Sequence, residues 1–119
     1  MAKKLFISVP MRGRTEENIK KSMDKMHKIA EIVFDQKLER IESYIPDRAP
    51  EDTVNSRVWY LGESIKMLAQ ADYFIGVGYS SFSGCNIESN IANEYNIPRT
   101  FVNIRDLMPD LCDRDDWFC

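Results

Sequence analysis

The sequence predicts an α/β fold in which helices cover both faces of a parallel sheet of four to five strands. Two observations carry this prediction. Apolar runs of strand length alternate with segments of helical periodicity in the order β-α-β-α-β-α-β, which favours parallel pairing through right-handed crossovers. The run at 73–77 is apolar without a break, as is usual for a strand that is covered on both faces.

Local patterns place the individual elements. An apolar strand at 3–9 is followed by Pro10, and Thr15 is a suitable N-cap for a helix whose first turn carries two glutamates. The predicted strands are 3–9, 40–45, 73–77 and 100–104, and the predicted helices are about 15–37, 55–70 and 85–95. We therefore expect a flavodoxin-like or Rossmann-like three-layer sandwich with the strand order 2-1-3-4.

Length and composition predict one globular domain over 1–119. The chain has 119 residues, of which 44% are hydrophobic and 29% charged, as in ordinary folded proteins. An acidic tail at 105–119 ends in an aromatic pair and is assigned to no element. The formal charge of −3 provides no basic field for nucleic acid, and the first apolar stretch is too short for a signal peptide or membrane span. We expect a cytoplasmic protein with no nucleic-acid or membrane partner.

Metal and cofactor motifs are missing from the sequence. The three cysteines are odd in number and lack C-x-x-C spacing, and the single histidine, His27, falls beside the apolar stripe of a helix. We expect no metal site and no structural disulfide. The glycines at 76 and 78 lack the third glycine of a dinucleotide fingerprint, and no G-x-x-x-x-G-K-[ST] run occurs. We therefore expect no cofactor.

Two loops are predicted to hold a ligand. In an open parallel sheet, ligands bind beyond the carboxyl ends of the strands, where the strand order reverses. The loops at 10–14 and 78–84 follow the first and third strands, which are neighbours in the predicted order, so a small molecule is expected between them. Aromatic residues in or near this cleft could stack on a base, or could simply be core: Tyr79, Phe82, Trp59 and Tyr60.

The first of these loops has the composition of an anion site. Arg12 and Arg14 flank Gly13 just before a helix N-terminus, which suits a phosphate. Ser8, at the end of the strand, could add a hydroxyl. The alternative, held equal on the residues alone, is a solvated turn whose arginines pair with nearby acids.

Glu88 is the acid most strongly predicted to be functional. It falls in the first turns of the last helix, where the N–H groups and the helix dipole favour an ionised carboxylate. On a helical wheel it lies among apolar positions and is predicted to point inward; these positions are Ile87, Ile91, Tyr95 and Ala92. An inward acid without a basic neighbour costs stability unless it is hydrogen-bonded or used. We therefore favour a functional role for Glu88 over a purely capping one.

Several runs of the sequence resemble a known family. They are K-L-F-I-S-V-P-M at 4–11, A-D-Y-F-I at 71–75, G-C-N-I-E at 84–88 and I-P at 97–98. Together they resemble the nucleoside 2-deoxyribosyltransferase superfamily over about residues 3–104. The likeness is strongest to short phage and prophage members of unassigned function, which share the patterns P-M-R-G-[KR]-T-E-E, W-Y-L-G-x-S and G-C-x-I-E.

The resemblance implies roles for individual residues. In the characterised enzymes a glutamate at the position of Glu88 attacks the anomeric carbon of a deoxynucleoside, the base leaves, and water or another base takes the sugar. The related 2′-deoxynucleoside 5′-phosphate N-hydrolases hold phosphate with serine, arginine and glycine after the first strand. The resemblance therefore implies phosphate binding by Ser8, Arg12, Gly13 and Arg14. With the other residues of the two predicted ligand loops, the predicted substrate-binding residues are Ser8, Pro10, Met11, Arg12, Gly13, Arg14, Tyr79, Phe82, Ser83 and Gly84.

The sequence also departs from the family pattern. Phe6 stands where the transferases have a tyrosine, and the acid that precedes the G-x-x-x-E run is replaced around 82–83. Ser64 falls where an aspartate assists the leaving base, and Glu63 beside it could substitute if the register shifts by one residue. The implied catalytic residues are therefore Glu88, Ser64 and Glu63.

Two functions follow from this comparison. The first is an N-glycosidase or deoxyribosyltransferase that cleaves the N-glycosidic bond of a (deoxy)nucleoside 5′-monophosphate through Glu88. The alternative, which the departures favour, is a phage-derived, non-catalytic module that binds or sequesters a nucleotide. Relatives in the superfamily often complete each cleft with a residue from a neighbouring chain. The resemblance thus implies a homo-oligomer, a dimer or larger, to which the tail at 105–119 could contribute.

Overall fold

Four parallel strands and three helices alternate along the chain. The computed structural model describes residues 2–11, 13–45, 48–78 and 83–103. The elements are β1 (Lys3–Ile7), α1 (Glu16–Val33), β2 (Leu38–Arg40), α2 (Ser56–Leu68), β3 (Tyr73–Gly78), α3 (Ser83–Glu94) and β4 (Arg99–Asn103). The strands form one sheet in the order β2-β1-β3-β4, and every pair is parallel. The predicted α/β fold and its 2-1-3-4 strand order are confirmed.

Alternation along β1 builds a core on each face of the sheet. Leu5 and Ile7 point toward α1, where they pack with Met23 and Met26 in a cluster of fully buried side chains. Phe6 points the other way and stacks on Phe74 of β3, with a centroid separation of 6.0 Å. Leu68 of α2 and Ala92 of α3 close this second core. One helix therefore covers one face of the sheet, and two helices cover the other.

The helix α1 ends earlier than the sequence predicts. It was expected to reach residue 37, but it ends at Val33, and the N–H of Phe34 bonds to the carbonyl of Ala30 at 2.9 Å. Asp35 follows in the left-handed region with φ 53°. A left-handed residue after the cap ends a helix, and aspartate adopts this conformation more readily than most side chains.

The strand β2 is also displaced from its predicted position. The prediction of 40–45 is wrong, because the strand runs over Leu38–Arg40 and only the N–H of Ile41 extends the ladder, to the carbonyl of Leu5. The chain then leaves the sheet and crosses the end of β1, where the Ser43 hydroxyl donates to the carbonyl of Ile7 at 3.2 Å. The residues predicted as the end of a strand instead approach the carboxyl edge of the sheet.

Some sequence predictions concern residues that the structure does not describe. The tail at 105–119, with Cys112 and Cys119, lies outside the described ranges, and so do Arg12, Tyr79 and Phe82. The cysteine that is described, Cys85, is free and buried. Of the described helices, none is both long and apolar enough to cross a membrane.

Candidate functional site

A cavity of about 590 Å³ opens at the carboxyl end of β1, beside the first turns of α3. This volume lies within the range of roughly 300–1,000 Å³ that is usual for small-molecule sites. Its walls come from β1 and the loop after it, the segment after β2, and the helices α1, α2 and α3. The lining residues are Phe6, Ile7, Val9, Pro10, Met11, Arg14, Ile19, Ser43, Tyr44, Ile45, Arg57, Tyr60, Leu61, Ser64, Gly84, Cys85 and Glu88.

Ser8 occupies a fixed position beside this cavity because of the strand that precedes it. Side chains alternate along an extended chain, so Ser8 points to the same face as Phe6, toward α2 and α3. Its backbone N–H bonds to the carbonyl of Ile75 at 2.8 Å, and the residue is 1% exposed. Its hydroxyl donates to Oε1 of Glu88 at 2.7 Å. A buried hydrogen bond thus joins β1 to α3 across eighty residues of sequence.

Glu88 is a buried carboxylate at the surface of the cavity. It lies one turn after Cys85 and one turn before Ala92 on α3, and it is 7% exposed. Burial raises the pKa of Glu88 to about 7, although hydrogen bonds with Ser8 and Ser64 act in the opposite direction. Near neutral pH the group is therefore divided between its acid and carboxylate forms. The predicted inward orientation of Glu88 agrees with this burial.

Ser64 reaches the same carboxylate from α2. It is half-buried, lines the cavity, and forms a side-chain hydrogen bond with Glu88. Glu88 therefore receives hydroxyl groups from two different elements, the end of β1 and the middle of α2. Neither hydroxyl carries a charge. Ser8 and Ser64 therefore orient the carboxylate of Glu88 but do not neutralise its negative charge.

Cys85 lies next to this pair but is chemically quiet. Burial is the main cause that raises the pKa of its thiol to about 12, and the charge of Glu88 adds to the shift, while a hydrogen bond with Ser8 opposes it. The thiol is therefore protonated at physiological pH, and a protonated thiol is a poor nucleophile. Of Cys85 and Glu88, which both line the cavity, Glu88 is therefore the side chain that can act as a nucleophile.

The loop after β1 is held to α1 by Arg14. The turn closes with a hydrogen bond from the N–H of Arg14 to the carbonyl of Met11 at 3.1 Å, and Gly13 lies in the left-handed region with φ 76°. The two terminal nitrogens of the Arg14 guanidinium donate to the Pro10 carbonyl at 3.1 Å, the Asn18 carbonyl at 3.2 Å and the Ser22 hydroxyl at 2.6 Å. Arg14 lines the cavity, but these bonds fix its guanidinium against protein oxygens.

The remaining predicted residues fall partly outside the cavity. Pro10, Met11 and Gly84 line it, as does Tyr60, whose hydroxyl accepts from the N–H of Ala49 at 3.3 Å. Gly13 is not among the lining residues. The helix α3 begins at Ser83, whose side chain is not described.

The structure does not bring two further residues into the cavity. Glu63 lies outside its lining, and its Oε1 accepts from Nζ of Lys66 at 3.3 Å on the outer side of α2. Trp59 also lies outside and packs edge-on against Tyr60, with a centroid separation of 5.0 Å. Glu88 is consequently the one carboxylate among the described residues of the cavity wall.

Several lining residues were not anticipated from the sequence. Arg57 and Leu61 lie on the face of α2 that carries Ser64, at spacings of seven and three residues from it. That regular spacing was the available signal, because positions separated by three, four and seven residues share a helix face. Tyr44 and Ile45 were also missed, since they were assigned to a strand that ends before them.

Comparison with protein-family models, with curated proteins and with solved structures finds no match to this chain. The geometry of the cavity therefore carries the functional argument. Within the described ranges, no group of three or more His, Cys, Asp or Glu side chains is arranged to hold a metal ion.

Proposed function

We propose that the chain cleaves the N-glycosidic bond of a (deoxy)nucleoside 5′-monophosphate, with Glu88 as the nucleophile. An oxygen of Glu88 bonds to the anomeric carbon as the carbon–nitrogen bond breaks, and the bonding electron pair leaves with the base. Water then adds to the anomeric carbon as the bond between that carbon and the Glu88 oxygen breaks, which frees the sugar phosphate and restores the carboxylate. The proton that the water gives up is balanced by the proton that the departed base takes up. Another base in place of water would give transfer. This double displacement is the usual chemistry of a carboxylate nucleophile at an anomeric centre.

One observation carries this proposal: the carboxylate of Glu88 is buried at the cavity wall, and Ser8 holds one of its oxygens at 2.7 Å. A nucleophile gains rate when it is fixed toward the reacting atom in a site that excludes water. The hydroxyl of Ser8 supplies the orientation, and Phe6 and Leu61 contribute apolar side chains to the wall of the same cavity. The cavity volume also suits a ligand of nucleotide size.

The pH dependence of base release tests this function. Only ionised Glu88 can attack, and its pKa is raised to about 7 by burial, so kcat/KM should increase with pH and level off above about 8. At pH 6 it should be about tenfold lower than on the plateau. The measurement is release of free base from the four common deoxynucleoside 5′-monophosphates at high enzyme concentration. A rate that falls as pH rises from 6 to 8 would instead indicate an essential protonated acid.

A second function, nucleotide binding without turnover, is favoured by a specific observation. Glu88 is the one carboxylate among the described cavity residues, and Glu63 faces away, so the departing base has no carboxylic acid there to protonate it. A binding module would be stabilised by a nucleotide that is recovered unchanged. Thermal-shift screening with product analysis separates the two functions, because turnover yields free base and binding alone does not.

A further inference from the structure

Arg57 is a cationic residue of the cavity wall that has no partner among the residues that the structure describes. It lies in the first turn of α2, is exposed, and lines the cavity. Among the described residues its guanidinium has neither a hydrogen bond nor an ion pair, and the first turn of α2 contains no acidic residue. A free guanidinium at the wall of a ligand-sized cavity can bind a phosphate through two parallel hydrogen bonds.

The other arginine of the cavity is placed differently. Arg14 donates to the carbonyls of Pro10 and Asn18 and to the hydroxyl of Ser22, so both of its terminal nitrogens already bond to oxygens of the loop or of α1. A ligand phosphate would have to compete with these bonds. Arg57 can bind an anion without breaking any bond that the described residues make.

The position of Arg57 along α2 also fits a nucleotide whose sugar lies at Glu88. Ser64, which bonds to Glu88, is seven residues further along the same helix face, or about 10 Å along the axis. The Arg57 side chain is long, so its guanidinium can reach from the rim of the cavity toward Glu88 and lie closer to it than this axial distance. A sugar whose anomeric carbon faces Glu88 could therefore extend its 5′ phosphate toward Arg57.

We propose that Arg57 binds the phosphate of the substrate and thereby sets a preference for nucleotides over nucleosides. This inference rests on the proposed function for the placement of the sugar. It assigns phosphate recognition to α2, whereas the sequence predicted it in the loop after β1. The role is one of specificity, because Arg57 acts at the end of the ligand remote from the reacting bond.

Titration calorimetry on the full chain tests the assignment independently of turnover. Binding of the four common deoxynucleoside 5′-monophosphates and of the four matching deoxynucleosides is measured on Glu88→Gln protein, with and without Arg57→Gln. Arg57→Gln should weaken binding of the monophosphate by about 10- to 100-fold, the usual effect of losing a charge-assisted hydrogen bond, and should change nucleoside binding by less than about twofold. Arg57→Lys should retain part of the preference. Lys66→Gln, on the same helix but outside the cavity, is the matched control.

The possible outcomes separate this inference from the proposed function. Equal weakening of nucleotide and nucleoside, no change in either, or a change in base preference alone would overturn the assignment to Arg57, whether or not the wild-type protein releases base. Selective loss of monophosphate binding in Arg57→Gln supports the assignment even if no base is ever released. In that case hydrolysis fails as the function, while phosphate recognition by Arg57 stands.

Discussion

Glu88→Gln should lower base release by at least about 10³-fold, because it removes the nucleophile but keeps the size of the side chain and one acceptor oxygen. The amide oxygen of glutamine can still accept from the hydroxyl of Ser8, which contacts Oε1 at 2.7 Å. The cavity should therefore keep its shape. The loss should appear in kcat, since a group that forms a bond to the anomeric carbon acts in the chemical step.

Glu94→Gln is the matched control for this substitution. Glu94 ends the same helix, α3, and is exposed to solvent. The same removal of one carboxylate at this position should leave kcat and KM within about twofold of the wild-type values. A rate in Glu88→Gln that equals the rate in Glu94→Gln would exclude covalent catalysis by Glu88.

Glu88→Gln should also stabilise the protein at alkaline pH. Burial raises the pKa of Glu88 from 4.5, the ordinary value of a glutamate side chain in an unfolded chain, to about 7 in the folded protein. Between these values the folded state holds the proton more tightly, so the contribution of Glu88 to stability is lost as pH rises from about 4.5 to about 7. Above pH 8 the buried carboxylate costs roughly 3 kcal/mol, a cost that glutamine does not carry.

The measurement is the free energy of unfolding by urea at pH 5 and at pH 8.5. The variant and the wild type should differ little at pH 5, and the variant should be the more stable by roughly 3 kcal/mol at pH 8.5. Glu94→Gln, at an exposed position of the same helix, is measured beside it as the control. A difference between Glu88→Gln and wild type that is constant across this range would mean that the carboxylate is not desolvated. A fall in activity together with a gain in stability is typical of a functional residue.

The sheet order was predictable because several local signals agreed. The apolar runs at β1 and β3 and the helical stretches between them leave few alternatives for a right-handed parallel sheet. The extent of β2 was not predictable in the same way. Ile41 packs in the core beside Phe6, and Tyr44 and Ile45 line the cavity, so all three are partly buried without belonging to a strand. Sequence periodicity records burial and does not distinguish a ligand cavity from a sheet.

The candidate site was predictable where it depends on the periodicity of one helix and not where it depends on contacts between elements. The inward orientation of Glu88 could be read from α3, but two of its apolar markers were wrong: Ile87 is 40% and Tyr95 is 76% exposed. Ala92 is buried and was the reliable marker. The hydrogen bond from Ser8 depends on the register of β1 against β3, which no local pattern specifies. Arg57 was overlooked because the inner face of α2 was assigned from its apolar residues alone. A helix face that lines a cavity can also carry a charged residue.

Trapping of the glycosyl enzyme is the most direct test of Glu88 as a nucleophile. A deoxynucleoside 5′-monophosphate with fluorine at the 2′ carbon slows both steps of a double displacement and can let the covalent intermediate accumulate. Mass spectrometry of the intact protein should then show one added sugar phosphate, and peptide analysis should locate it on Glu88. Glu94→Gln should form the same adduct and Glu88→Gln should form none. An adduct on another residue, or base release by the wild type with no adduct at any time, would contradict the assignment of Glu88 as the nucleophile.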